Sequence, residues 1–375
     1  MSRTQIILLV FFAHAVAGGG IFTRIPDIQQ GLAMSEAMLG LALTTASLGG
    51  LAINLVSGRI VRSLGVKPIL VIGLPLLSLL SALTAYAPTV PVLFAVILGM
   101  GVSFSLTNVA MNVEADRVET ASGRRVMNRC HGIWSAGMLT AAVLGVGARG
   151  WAVPAGLHLM AFVPLVGLLA ATIAVSMSPC PETDGDRSTR PGIALPSRRT
   201  FLLVLFGLSG GICQVGTQNF SVIFMRDTFS APDWVDTLTL PAFLVSMTLG
   251  RMFADRLTER FGPVVVAFSL AGFALAGAVL VAAAPGVTVA LAGFALIGLG
   301  TSVLFPLMIS AAARLGARPA AESVSAVIFL TGLVMLAAPA LMGWIAETAG
   351  LRAAFAAFIP PILLTLLLSR QLAPR

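Results

Sequence analysis

Long apolar stretches separated by short polar breaks recur along the whole chain. They fall at about residues 5–24, 37–57, 68–87, 89–113, 130–148 and 153–177, then 200–224, 234–254, 263–283, 286–312, 320–345 and 351–370. Each approaches or exceeds the roughly 20 residues that a helix needs to cross the hydrocarbon layer of a bilayer. Gly and Pro within them do not argue against helix, because neighbouring helices in a membrane satisfy the freed backbone groups. The pattern predicts an all-α integral membrane protein of twelve transmembrane helices in two six-helix bundles.

The break between the sixes is Ser178 to Arg199, rich in Pro, Ser and charge and without apolar periodicity. It reads as a solvated linker, which gives an N-terminal bundle at 1–177, a linker at 178–199 and a C-terminal bundle at 200–375. The halves echo each other. Gly65 after the second run matches Gly262 at an offset of 197, and Gly99 and Gly101 in the fourth run match Gly298 and Gly300 in the tenth at 199. Near-constant spacing points to a duplicated six-helix unit. Ala15 to Ala17 resembles a signal-peptidase site, but removal of the first run would break the six-plus-six pattern, so it is read as a retained span.

Composition agrees with the pattern: 57% of the 375 residues are hydrophobic and 10% charged, with a mean hydropathy of +0.98. Soluble domains are about a quarter charged. The net charge of +8 does not indicate nucleic acid, because the basic residues sit between apolar runs and form no continuous patch. They report topology. With the N-terminus inside, the outward segments hold only Arg24, Arg149, Arg226 and Arg352, and the other 19 of the 23 Lys and Arg face the cytoplasm, so both termini are expected there. Cys130, Cys180 and Cys213 have neither CxxC nor Cys/His spacing, so three unpaired thiols and no metal site are expected. No GxxxxGK[ST] phosphate loop and no HExxH motif is present, and no cofactor or catalytic cluster is expected.

Gly58 to Lys67, after the second run, and Asp255 to Pro263, after the eighth, both resemble the signature loop of the major facilitator superfamily. In that loop a glycine opens, an acid follows four positions later, and a glycine with basic residues closes. Here Arg62 occupies the acidic position of the first copy, while the second has Asp255 for the opening glycine and keeps Glu259. Arg24 to Ile28, Arg129 to Gly137 (with His131 and Trp134), Gly250 to Gly262, Pro339 to Gly343 and Gly350 to Arg352 are similar to a bacterial branch of that superfamily, of mostly unassigned substrate and loosely related to sugar permeases. The resemblance implies the superfamily's fold of two pseudo-symmetric bundles, a monomeric carrier in the bacterial inner membrane, and a central cavity lined by helices 1, 4, 7 and 10.

Ser105, Asn108 and Asn112 in the fourth run are spaced by three and four, which sets them on one helical face. Gln214, Gln218 and Ser221 in the seventh repeat the device at four and three, flanked by Thr217 and Asn219. A polar face is costly against lipid, so both stripes are expected to point inward, and the resemblance implies substrate contact for them. Amides donate and accept without charge, which suits a hydroxylated or amphipathic ligand; interhelical hydrogen bonding is the alternative use. His14, the one ionisable side chain in the interior of the first run, is expected either to meet substrate and carry a coupling proton or to be a neutral imidazole donating to a carbonyl. No Asp or Glu lies near the middle of a run, which leaves Glu114 and Asp27, near run ends, as the other proton candidates. Arg24 is expected to pair with Asp27 or to support the backbone beside Pro26. Arg251, Asp255 and Glu259, answered by Arg59 and Arg62, are expected to form a charged gate. The chain is therefore expected to be a secondary carrier of a small polar or amphipathic molecule, working by alternating access with proton coupling left open. An uncoupled facilitator and a transport-inactive sensor on the same fold are the alternatives.

Overall fold

The computed structural model of the protein describes residues 1–123, 125–178, 180, 198–315 and 320–373, without the side chains of Asn128, Asp255, 320–322, 324 and 325. Nearly all of the 178–199 linker and Arg124 of the fourth-to-fifth loop therefore lie outside the described residues. Among those residues the secondary structure is helical and contains no strand. Twelve helical stretches are long and apolar enough to cross a membrane: Arg3–Thr23, Glu36–Leu64, Val66–Tyr86, Val90–Ser122, Arg129–Gly150, Ala155–Ser176, Arg198–Thr228, Asp233–Ala254, Pro263–Ala283, Val287–Ala313, Ala326–Ala349 and Leu351–Leu372, here called spans 1 to 12.

Contacts divide the chain into two compact units, Met1–Ser35 with Leu41–Arg190, and Glu36–Gly40 with Pro191–Arg375. In the first unit Ile7, Val10 and Phe11 of span 1 meet Leu70, Leu74 and Leu77 of span 3, Ala110 of span 4 and Val166 of span 6. In the second, Leu203 and Phe206 of span 7 pack with Leu270 of span 9, Leu304 and Met308 of span 10 and Val327 of span 11. Such packing draws on van der Waals contact and small residues, since lipid tails are as apolar as leucine.

The glycines show the duplication directly. A Cβ at Gly101 would strike the backbone of Ala46 in span 2, and a Cβ at Gly298 would strike that of Phe243 in span 8. Glycine is what permits each close approach. Both members of this contact are displaced by 197, as are Gly65 and Gly262, whose φ values are 79° and 80°. Ser103 donates to Gly73 O at 3.0 Å, and its counterpart Gly300 lies against Leu270 O, again 197 on. The register within spans 4 and 10 is thus 197, so Gly101 answers to Gly298. The expected offset of 199 is corrected: in a glycine-rich run the motif G-x-G matches itself two residues out of step, and only the neighbour each glycine touches decides between the alternatives.

Breaks in the helices have local causes. Span 10 consists of Val287–Thr301 and Leu304–Ala313. Pro306 has no N–H to give to the carbonyl of Ser302, four residues earlier, and the guanidinium of Arg251 donates to that oxygen instead, at 3.2 Å. Span 1 ends as a 3-10 turn over Gly20–Thr23 before a short helix, Ile25–Gly31, with Pro26 in its first turn.

Candidate functional site

His14 lies in the middle of span 1 and is fully buried. Its Nε2 is 3.1 Å from the carbonyl oxygen of Phe104 in span 4, and the indole Nε1–H of Trp134 in span 5 donates to its Nδ1 at 3.1 Å. The imidazole also leans on the Phe104 ring, with centroids 4.4 Å apart. That Trp134 bonds to His14 is not evident from the sequence. The available signal was the spacing of His131 and Trp134, which places them one turn apart.

The stripe on span 4 is only partly drawn together. Asn112 Nδ2 donates to Asn108 O at 2.8 Å and to Asn108 Oδ1 at 3.2 Å, so these two form one partly buried amide pair. Ser105 sits apart, its hydroxyl filling the space that a Cβ on Gly50 of span 2 would need.

On span 7, Gln214 is partly exposed while Gln218 is buried, and Gln218 Nε2 has no hydrogen-bond partner among the described residues. Thr217, noted only as a flanking residue, is fully buried and its hydroxyl is likewise unpartnered. Ser221 is committed elsewhere: it shares a hydrogen bond with Thr239 of span 8 at 2.9 Å, and Thr239 Oγ1 donates to Asp236 O at 3.3 Å. Asp236, three residues into span 8 and 1% exposed, is a buried carboxylate that the sequence reading passed over.

Of the proton candidates, Glu114 is buried near the end of span 4. Its Oε1 accepts from the backbone N–H of Cys180 at 3.0 Å, while Oε2 is buried without a hydrogen bond among the described residues. Arg3, Ile6, Ile7, Met177 and Ser178 line a small cavity with it. Asp27 is differently placed. Its tight partner is Arg149 of span 5, at 2.6 Å, with Arg24 at 3.8 Å. Arg24 instead donates through Nε to His158 Nδ1 at 3.1 Å and through Nη2 to Val153 O at 3.0 Å. The expected Arg24–Asp27 pairing is thus secondary to a network tying span 1 to spans 5 and 6, because the turn at Gly20–Thr23 carries Arg24 toward His158. Arg149 and His158 are too distant in sequence to have been linked to it.

Among the gate residues, Arg59, Arg62 and Glu259 are exposed, Arg251 holds the break in span 10, and the side chain of Asp255 lies outside the described residues. All three cysteines are buried free thiols. Gly207 to Gly211 spells G-x-S-x-G, the spacing of a hydrolase nucleophile, but Ser209 sits inside the continuous helix Arg198–Thr228, fully buried and bonded to Thr365 at 2.7 Å. A nucleophile elbow needs an exposed serine on a strand-to-helix turn, so the match carries no enzyme chemistry.

The family profile described as Major Facilitator Superfamily matches residues 7–332. The uncharacterized transporter y4wD of Sinorhizobium fredii is 29% identical over 348 residues, covering 92% of this chain and 91% of that one. Membrane protein MosC of Rhizobium meliloti is 26% identical over 355 residues, 91% of this chain and 83% of its own. Among solved structures, the nucleoside transporter NupG superposes with a TM-score of 0.77 at 14% identity over 100% of both chains. The D-xylose-proton symporter gives 0.77 at 12% identity over 98% of this chain and 96% of that one. At such identities the superpositions establish the fold.

Proposed function

Because this chain belongs to the Major Facilitator Superfamily and is a multi-pass membrane transporter, not an enzyme, we propose that it is a monomeric secondary carrier of a small, uncharged, hydroxylated or amphipathic molecule, working by alternating access. The observation that carries this is Gln218, whose buried amide nitrogen is unmatched by any acceptor among the described residues, one position from the equally unmatched hydroxyl of Thr217. Buried polar groups are nearly always hydrogen-bonded, so two adjacent exceptions on one span call for an explanation, and a ligand oxygen supplies it. Gln214, one turn earlier on the same span and partly exposed, offers a further uncharged donor and acceptor. The nucleoside and xylose named for the two proteins of this fold have that chemistry.

A thermal-shift screen of the detergent-purified protein against sugars, nucleosides, organic acids and amphipathic drugs tests the reading, since a ligand stabilises the state it binds. A hydroxylated neutral compound should raise the melting temperature, and Gln218→Ala should remove that shift. A shift confined to organic acids, or one untouched by Gln218→Ala, would discard the assignment. Flux of the hit compound into proteoliposomes then separates a carrier from a sensor that binds without transporting.

For coupling, Glu114 is the best of the three candidates. Its Oε2 has no hydrogen bond among the described residues and can take a proton without breaking one there, whereas Asp27 is held by Arg149 and both nitrogens of His14 are engaged. Gradient-driven accumulation should be lost in Glu114→Gln; no gradient effect in the parent would make the protein a facilitator. Both termini are proposed to face the cytoplasm of a bacterial inner membrane, on the strength of the loop charges. Cysteines placed at Thr183 and Pro232 should label from opposite sides, against a low background from three buried native thiols.

A further inference from the structure

The bonds around His14 fix more than its position. An indole N–H can only donate, so Nδ1 of His14 must present a lone pair to Trp134. A carbonyl oxygen can only accept, so Nε2 must carry the proton that points at Phe104. The ring is thereby specified as the neutral Nε2–H tautomer, and an imidazolium, which has an N–H on both sides, would face the Trp134 N–H with a second donor. We infer that Trp134 is a positioning residue that locks His14 in this neutral form, so that His14 braces spans 1, 4 and 5 and does not exchange protons while the Trp134 bond stands.

The brace has a defined target. Phe104 O receives His14 Nε2 and also the Thr107 hydroxyl, at 3.0 Å, and lies one turn before Asn108. The lock therefore sets the turn of span 4 from which the Asn108–Asn112 pair projects. Titratable groups on the spans packed against span 1 stand toward span ends. Lys67 opens span 3, Glu114 and Arg117 lie near the end of span 4, Arg149 ends span 5 and His158 opens span 6. His131, one turn before Trp134, stacks edge-on to Phe11 at 5.5 Å. The His14–Trp134 bond is the same whichever ligand is carried.

Imidazole nitrogen NMR of the full-length protein in nanodiscs, labelled at histidine with 15N, tests it. The His14 signals are identified as those lost in His14→Gln. Between pH 8 and pH 5, a range that brackets the ordinary histidine pKa of about 6.5, the parent should show one protonated nitrogen and one hydrogen-bonded acceptor nitrogen at His14 throughout. In Trp134→Phe the acceptor signal should move to the position of an unbonded ring nitrogen. His14→Gln, whose amide can accept from Trp134 and donate to Phe104 O, should keep the parent's melting temperature, and His14→Leu, which can do neither, should lose it. An imidazolium pattern at His14 in the parent within this range, or a proton on Nδ1, would overturn the lock. So would an unchanged acceptor signal in Trp134→Phe, and the parent spectra decide the matter even if that variant does not fold.

Discussion

Spans 4 and 10 occupy equivalent places in the two units and differ one turn past their shared glycine. Gly101 and Gly298 make the same backbone approach to a neighbouring span. Beyond it, span 4 runs unbroken through Ser105, Asn108 and Asn112, whereas the corresponding positions of span 10 are Ser302, Phe305 and Ile309, and Pro306 breaks the helix there. Where the second unit is apolar in span 10, it carries its polar groups on span 7. The ends of spans 1 and 7 diverge too. Arg24, Asp27, Arg149 and His158 form a mostly buried network, while Arg226 pairs with the adjacent, partly exposed Asp227. Duplication thus preserved the contacts that hold backbones together and left the polar groups free to diverge, because a backbone contact tolerates no side chain while a polar group needs only some partner.

The largest effect should come from the shared contact. Gly101→Ala and Gly298→Ala each force a Cβ into a backbone, and each should cost about 2 to 3 kcal/mol of stability, read from thermal melts. A clear inequality between the two would break the equivalence. Next, Arg149→Ala strips a mostly buried carboxylate of its close partner and should cost about 2 kcal/mol, discounted for the partial exposure of Asp27, whereas Arg226→Ala should cost less than about 1 kcal/mol. Equal losses would mean that burial does not distinguish these networks.

The break in span 10 can be tested by a cycle. Arg251→Ala should cost about 1.5 kcal/mol, the worth of a hydrogen bond from a charged group. In a Pro306→Ala background, where residue 306 can itself donate to Ser302 O, the same change should cost distinctly less, and strict additivity would remove Arg251 from the role of substitute donor. The smallest expected effect is that of Thr217→Val, within about 0.5 kcal/mol of the parent or stabilising, because it deletes a hydroxyl that bonds to nothing among the described residues. A loss above about 1.5 kcal/mol would show that the hydroxyl is satisfied after all.

Much of the architecture was legible because a bilayer imposes length and apolarity on each span, and both are written locally. The twelve runs, the long polar break and the repeated loop glycines needed only the order of residues. The amide stripes were visible for the same reason, since spacings of three and four define a helical face without reference to any neighbour.

What each polar group bonds to was decided elsewhere. Asn108 and Asn112 prefer each other, Ser105 fills the space beside Gly50, Ser221 turns to Thr239, and Gln218 Nε2 finds no partner among the described residues, though all look alike as members of stripes. Asp27 found Arg149, more than a hundred residues away, in preference to the Arg24 three positions before it. The sequence by itself determined the spans, the duplication and the faces, since helix period and membrane thickness act on neighbours along the chain. Only the tertiary structure decided the register of the repeat, the substitute donor at Pro306 and the tautomer of His14. Each of these depends on which atom of another span lies within about 3 Å, a distance at which hydrogen bonds form or fail.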